Sequence, residues 1–354
     1  MSNYAIAGPK SVGIADGVNL DSFSRLRVSN PDTIFDSTFQ YDLQPLIYQA
    51  VTANNGAVTH APTASGATLS CTTDAGSTAL IQSKQYHRYI PGKSQLVLMT
   101  VAFGAATANV RKRAGYFDNN NGVYWEQNGT TDLAFVVRSD VSGGVVNNRI
   151  AQANWNLDNL DGTGSTGNPS GIALNSALGQ VVVFDLQWLS LGRVRVGFDL
   201  DGSITYVHEF LHANRISVPY MRTANLPVRW SIEGLATTAG SMLGICASVQ
   251  SEGGADRHFS YSFGYTRASV TAGSDTQTYA FSVRPKATFN SITNRELIRP
   301  TAFSCAVTGI NPVLLEIYYG TAVGGTPSWG DMQATYSGLQ VDTAGTPSGG
   351  FLVA

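Results

Sequence analysis

Eight consecutive residues, Arg193 to Leu200, alternate without a break: Val194, Val196, Phe198 and Leu200 fall on one side, Arg193, Arg195, Gly197 and Asp199 on the other. Only an extended chain, whose side chains point to opposite faces with period 2, sorts such a run into one apolar and one polar side. Asp201-Gly202 follows, a pair suited to the positive backbone angles of a two-residue hairpin turn, and Ile204 to Phe210 returns. With the apolar run Val181 to Leu189 before it, this stretch reads as successive antiparallel strands.

The same stretch holds the string His208-Glu209-Phe210-Leu211-His212. On a helix, HExxH places two imidazoles on one face and marks a zinc protease. On a strand, His208 and His212 share a face about 13 Å apart, at ~3.3 Å per residue. Two nitrogens that must each lie about 2 Å from zinc cannot be so distant. The alternation and the turn set the period at 2, so the metalloprotease reading ranks last; Glu233, a candidate third ligand, also lies in a strand pattern.

The rest of the chain repeats the β-rhythm. Strand patterns are read at Ser94 to Phe103, Val110 to Phe117, Val123 to Gln127, Leu133 to Arg138, Val228 to Glu233, Ser241 to Gln250, Phe259 to Tyr265, Tyr279 to Val283, Ala302 to Val307 and Val313 to Tyr319. Asn-Gly, Asp-Gly and Gly-Gly pairs separate several of them, as turns between strands require. Ala151 to Leu178 is a long polar connection, in which Trp155, Leu157 and Leu160 are candidates to anchor a short helix; Asn290 to Leu297 is the other place for a helical turn. No βαβ alternation is visible, which argues against a parallel sheet. The expected fold is all-β, an antiparallel jelly-roll-like β-sandwich. An extended N-terminal arm (residues 1–45) precedes the main sandwich (46–275), and a smaller C-terminal β-unit (276–354) follows it.

Charged residues make up 13% of the 354 residues and the net charge is −2. Such a chain presents no field that would draw it to nucleic acid. No apolar run reaches the 18 residues of a membrane span, and the first residues lack the basic start and apolar core of a signal peptide. Synthesis and use in the cytoplasm are expected. Cys71, Cys246 and Cys305 fit neither a disulfide framework nor a zinc pattern and are read as buried free thiols.

Three further constellations bear on chemistry. Asp118, Glu126, Asp132, Asp199, Glu209 and Glu233 are candidates for the paired carboxylates of glycoside hydrolysis, and spacing does not choose among them. Tyr124, Trp125, Trp188 and Trp230 suit sugar binding, but core packing explains them more simply. Arg111-Lys112-Arg113 is the one basic cluster; it would touch phosphate or an acidic partner or, the favoured reading, guard an exposed strand edge against pairing. No cofactor is indicated.

Phe23 to Pro31 and Thr33 to Ser37 match the form F-x-R-L-R-V-S-x-P-x-T-x-F-D-S. In this arm the sequence resembles virion structural proteins of tailed bacteriophages. Arg111 to Arg113, Gly115 to Asp118, Leu186 to Leu189, Gly192 to Arg195 and Tyr206 to Phe210 are similar to the same group. The resemblance implies a particle component of head or tail, assembled in the host cytoplasm, whose partners are copies of itself in a trimer or other cyclic homo-oligomer and other virion proteins. Phe23, Leu26, Val28 and Phe35 would supply buried assembly contacts, and Arg25 and Arg27 would meet carboxylates or carbonyls. The protein is expected not to be an enzyme; the rival expectation is a receptor-binding spike or fibre that recognises a host-surface glycan.

Overall fold

The computed structural model describes residues 5–6, 12–13, 20–24, 26, 30–253, 261–273 and 277–353. The chain forms two compact units, residues 1–256 and 257–354. The division thus falls ahead of the boundary expected at 275.

The first unit is an antiparallel sandwich of fifteen strands, labelled here in chain order: β1 (Asp32–Thr38), β2 (Tyr48–Ala53), β3 (Ala57–Ala61), β4 (Gly66–Cys71), β5 (Thr78–Ser83), β6 (Gln95–Ala102), β7 (Val110–Phe117), β8 (Gly122–Asn128), β9 (Asp132–Ser139), β10 (Val146–Ala151), β11 (Gly179–Leu186), β12 (Val194–Leu200), β13 (Ser203–Phe210), β14 (Val228–Gly234) and β15 (Gly240–Ser251). A 7-stranded sheet runs β10-β9-β8-β7-β14-β5-β2, and an 8-stranded sheet runs β13-β12-β11-β6-β15-β4-β3, with β1 paired to β15. Among the described residues the only helical pieces are two 3₁₀ turns, Pro62–Ala64 and Gln152–Asn154.

The inner faces meet through large aromatic rings. Trp125 of the first sheet stacks on Phe103 at 4.2 Å and meets Phe198 of the second edge-on at 5.1 Å. Trp230 contacts Phe39 at 5.7 Å. These side chains are fully buried, and each such burial stabilises the fold by about 1.5–3 kcal/mol. Because a slip of one residue would turn every one of them to the outside, this burial also fixes the register. The hairpin read from the sequence is present: Asp201 and Gly202 take φ of 56° and 83°, and β12 pairs with β13 with a bulge at Val196/Gly197.

Several expectations are corrected. Residues 32–38, placed in the arm, are strand β1 of the sandwich, because Phe35 and Phe39 belong to its core. Arg111-Lys112-Arg113 guards no edge, since β7 lies inside its sheet between β8 and β14. Lys112 points inward, its Nζ donating to the carbonyls of Phe103 and Ala105 at 2.5 and 2.8 Å. Only Cys71 is buried; Cys246 is half-buried and Cys305 exposed, all as free thiols. In the long connection the turn is 3₁₀ and precedes Trp155, and Leu157 is exposed where Trp155 and Leu160 are buried.

The second unit is built of short pairs. Ser282–Pro285 pairs with Leu339–Asp342, which also pairs with Gly330–Asp331; Tyr318–Tyr319 pairs with Phe351–Leu352, and Ala322–Gly324 with Thr346–Ser348. The helical turn expected at Asn290 to Leu297 is instead a hairpin, Thr288–Phe289 against Ile292–Thr293. Asn290 and Ser291 between them have φ of 48° and 65°, the left-handed pair of a tight hairpin turn. Residues 302–307, expected as a strand, form none, and of the strand expected from Val313 to Tyr319 only Tyr318–Tyr319 is present. The strand expected from Phe259 begins outside the described residues, and Tyr261 to Tyr265 is irregular.

Candidate functional site

The HExxH residues are spent on packing. His208 stands in β13 opposite Val196, and its Nδ1 accepts from the Asn156 amide at 3.1 Å, which puts its proton on Nε2. His212 lies past the strand end, and its Nδ1 is 2.7 Å from the Gly192 carbonyl oxygen. A carbonyl only accepts, so there Nδ1 carries the proton. Glu209 turns to Arg193 at 3.4 Å. Burial pushes the His208 pKa down to about 4 and lowers that of His212, so both rings are neutral at physiological pH. Among the described residues no group of three His, Cys, Asp or Glu side chains is placed to hold a metal ion.

Of the six candidate carboxylates the structure brings three onto one face. On the outer side of the 7-stranded sheet, register sets Glu126 opposite Arg113 and Glu233 opposite Arg111, with Asp132 at the start of β9. Arg113 lies 3.0 Å from Glu126 and 3.4 Å from Glu233. Arg149 joins Glu126 at 2.9 Å to Asp132 at 2.7 Å. Burial works against ionisation of Glu126, but hydrogen bonds and charge from Arg149 and Arg113 outweigh it and hold the pKa below the ordinary value. A carboxylate so held is a fixed anion, unsuited to the proton donation that a general acid of glycoside hydrolysis must perform.

The other three carboxylates lie apart from this face. Asp118 accepts from the Asn120 and Asn121 amides in its turn, Glu209 pairs with Arg193, and Asp199 stands in β12. Nor are the candidate sugar-binding aromatics presented. Tyr124, Trp125 and Trp230 are buried, and Trp188 donates its indole N–H to the Met221 carbonyl at 3.3 Å.

The proposed assembly residues separate in the structure. Phe35 is 8% exposed and packs against His87 and Tyr48 of its own sandwich, ring centroids 4.4 and 6.0 Å away. It is therefore a core residue and is withdrawn as an intersubunit contact. Phe23 is half-buried and Leu26 exposed; Arg25, Arg27 and Val28 lie outside the described residues.

What the sequence did not flag is how the lead segment is tied down. Leu20, Asp21 and Ser22 are buried. Arg193 donates to the Ser22 carbonyl at 3.2–3.3 Å, Arg195 to the Leu20 carbonyl, and the Ser22 hydroxyl to the Asp185 carbonyl at 3.0 Å. Behind them Asp185 and Arg195 form a buried ion pair at 2.8 Å, completed by hydroxyls from Ser94 at 2.6 Å and Tyr206 at 2.8 Å. The polar side of the alternating run was the available signal.

Each unit carries a shallow cleft. One of about 200 Å³ in the first unit is walled by Val146, Val218 and Tyr220. The other, of about 280 Å³, lies in the second unit between Arg284, Thr321 and Trp329.

The sequence matches no family model, and no curated protein matches it. Similar solved structures exist. An endo-1,3-beta-glucanase from Streptomyces sioyaensis is 12% identical, with 63% of this chain and 97% of that chain covered at a TM-score of 0.41. A beta-1,3-glucanase from Mycobacterium marinum is 13% identical, covering 62% and 100% at 0.39. A carbohydrate esterase from Shiga toxin-encoding bacteriophage phi24B is 10% identical, covering 64% and 100% at 0.34. The expectation that the chain is not an enzyme is corrected here. It leaned on a β-sandwich without a recognisable catalytic set, and enzymes stand among the solved structures similar to this one. The likeness at these values is one of fold and assigns the chain no reaction.

Proposed function

We propose that the protein is a structural component of a phage virion that assembles with copies of itself and with neighbouring virion proteins. The sequence resemblance of the arm supplies the setting, and one structural observation carries the assembly. Residues 295–317 have no regular structure, yet Leu297, Phe303, Val307, Ile310, Val313, Leu314 and Leu315 are all exposed, Leu314 at 82% and Ile310 fully. Single exposed apolar residues are ordinary, but so many within one short segment suit an interaction surface. The partner is a second copy: Arg295 and Arg299 balance Glu296 and Glu316, so two copies of the segment meet without net repulsion.

Light scattering on the full chain tests this reading. A defined oligomer is expected, and Ile310→Asp with Leu314→Asp should reduce it to monomer while the sandwich keeps its unfolding transition. A monomeric wild-type protein at tens of micromolar would overturn the assembly, and an electron-microscopy map of the particle without this chain would overturn the virion setting. A second reading, recognition of a host-surface glycan, is favoured by the cleft at Trp329.

A further inference from the structure

Arg284 lies 3.9 Å over the ring of Trp329. Its Nε and Nη2 both donate to Gln340 Oε1, at 3.1 and 3.0 Å, across the register pair Arg284↔Gln340 of the two strands. A guanidinium has five N–H donors in a rigid plane. Stacking fixes the plane and Gln340 occupies its side-on edge, so that among the described residues the end-on edge at Nη1 has no partner. Among the described residues Arg284 has no carboxylate at ion-pair distance, whereas the nearby cation Lys286 is neutralised by Asp331 at 2.7 Å. The cleft beside it is lined by Ser282 and Thr321 with their hydroxyls, and by Val323 and Pro327 as an apolar wall.

The loops that form the cleft are held from behind by one buried carboxylate. Asp342 accepts from the amides of Ser328 at 2.6 Å, Ala344 at 3.3 Å and Gly345 at 2.8 Å, and from the Tyr279 hydroxyl at 2.9 Å. Ser328 precedes Trp329, so the platform is set before any ligand arrives. An oriented cation with an open donor edge is what a carboxylate binds through two parallel hydrogen bonds. An apolar wall, an indole edge and hydroxyls around it suit a polyol body.

We infer that this cleft of the second unit binds an acidic saccharide, with the sugar carboxylate on the open edge of Arg284 and the ring against Trp329 and Pro327. The inference rests on the glycan-recognition reading and is independent of self-assembly. Titration calorimetry on the full-length protein tests it, with glucuronate, glucose and acetate as probes. Glucuronate is expected to bind saturably and glucose and acetate at least about tenfold more weakly, because each lacks one half of the recognised pair. Arg284→Gln should weaken glucuronate by about tenfold or more, and Gln340→Ala by less, since it only frees the guanidinium to turn. Arg284 is solvent-exposed, so its replacement should leave the unfolding temperature unchanged. Absence of saturable glucuronate binding, equal affinity in Arg284→Gln, or acetate binding as tightly as glucuronate would each overturn it. The oligomeric state, read on the same samples, should not change, so a failure here is separate from a failure of assembly.

Discussion

His212 and Tyr220 lie face to face, ring centroids 3.9 Å apart and planes 7° from parallel. The imidazole is thus held by a stack on one face and by the Gly192 carbonyl at its edge, and His208 is engaged on Asn156. The two histidines of the apparent zinc motif are fixed by different neighbours. A chelator such as EDTA should leave the thermal unfolding midpoint unchanged, while His212→Ala should cost about 1 kcal/mol from the lost stack and packing. A chelator-induced fall of several degrees would sink this account.

His87 predicts an acid limb of the stability curve. It is fully buried, 4.4 Å from the Phe35 ring, and burial pushes its pKa down to about 3 from 6.5. Above pH 6.5 the ring is neutral in both folded and unfolded chains and contributes no pH dependence. Below it the unfolded chain takes up a proton that the folded one refuses, so stability falls as pH drops toward the folded value. By pH 5 the loss from this residue is about 2 kcal/mol. Urea unfolding of wild type and His87→Phe at pH 7 and pH 5 measures it. The variant should lose about 2 kcal/mol less between the two pH values, and an equal loss would refute the assignment.

The Asp185–Arg195 pair should be costly to break and cheap to outlive elsewhere on the surface. Both side chains are nearly sealed from water, at 0% and 2% exposure, and Asp185→Ala strands a buried guanidinium. A loss of about 3–5 kcal/mol is expected, seen as a lower denaturant midpoint. The more exposed Arg222–Asp140 pair, at 3.2 Å, should yield less than about 1 kcal/mol when Arg222 is replaced by Ala. Similar values for the two would show that burial is not what sets the difference.

These cases show what the sequence made legible. Where a face is buried by the chain's own strands, periodicity is enough: Arg193 to Leu200 declared its strand, its turn and the rejection of a zinc helix. Where burial depends on distant segments, periodicity is silent. Lys112 lies in a basic triplet, and only the sheet order shows its ammonium turned inward onto the Phe103 and Ala105 carbonyls. The Glu126–Arg149 contact joins residues 23 apart in sequence and depends on which strand lies beside which. At Asn290-Ser291 the hairpin rests on two left-handed residues without a glycine, a signal weaker in sequence than Asn-Gly although asparagine tolerates that region well.

Phe35 gives the last prediction, and it changes where the arm ends. Its motif placed it among residues that would grip a neighbour, but the structure seats it in the sandwich with Tyr48 and His87, on a strand paired to β15 from Asp32 through Thr38. Phe35→Ala should therefore cost the isolated protein about 3–5 kcal/mol, a large part of the stability of an ordinary domain. Deleting residues 1–40 removes β1 together with Phe35 and the fully buried Phe39, so the truncated chain should fail to fold. Deleting residues 1–18 spares the buried Leu20 to Ser22 anchor and should leave the unfolding transition of the sandwich intact. Circular dichroism melts of the three proteins separate the outcomes. A cooperative, wild-type-like melt for the 1–40 deletion would return Phe35 to the arm and remove β1 from the fold's essential strands.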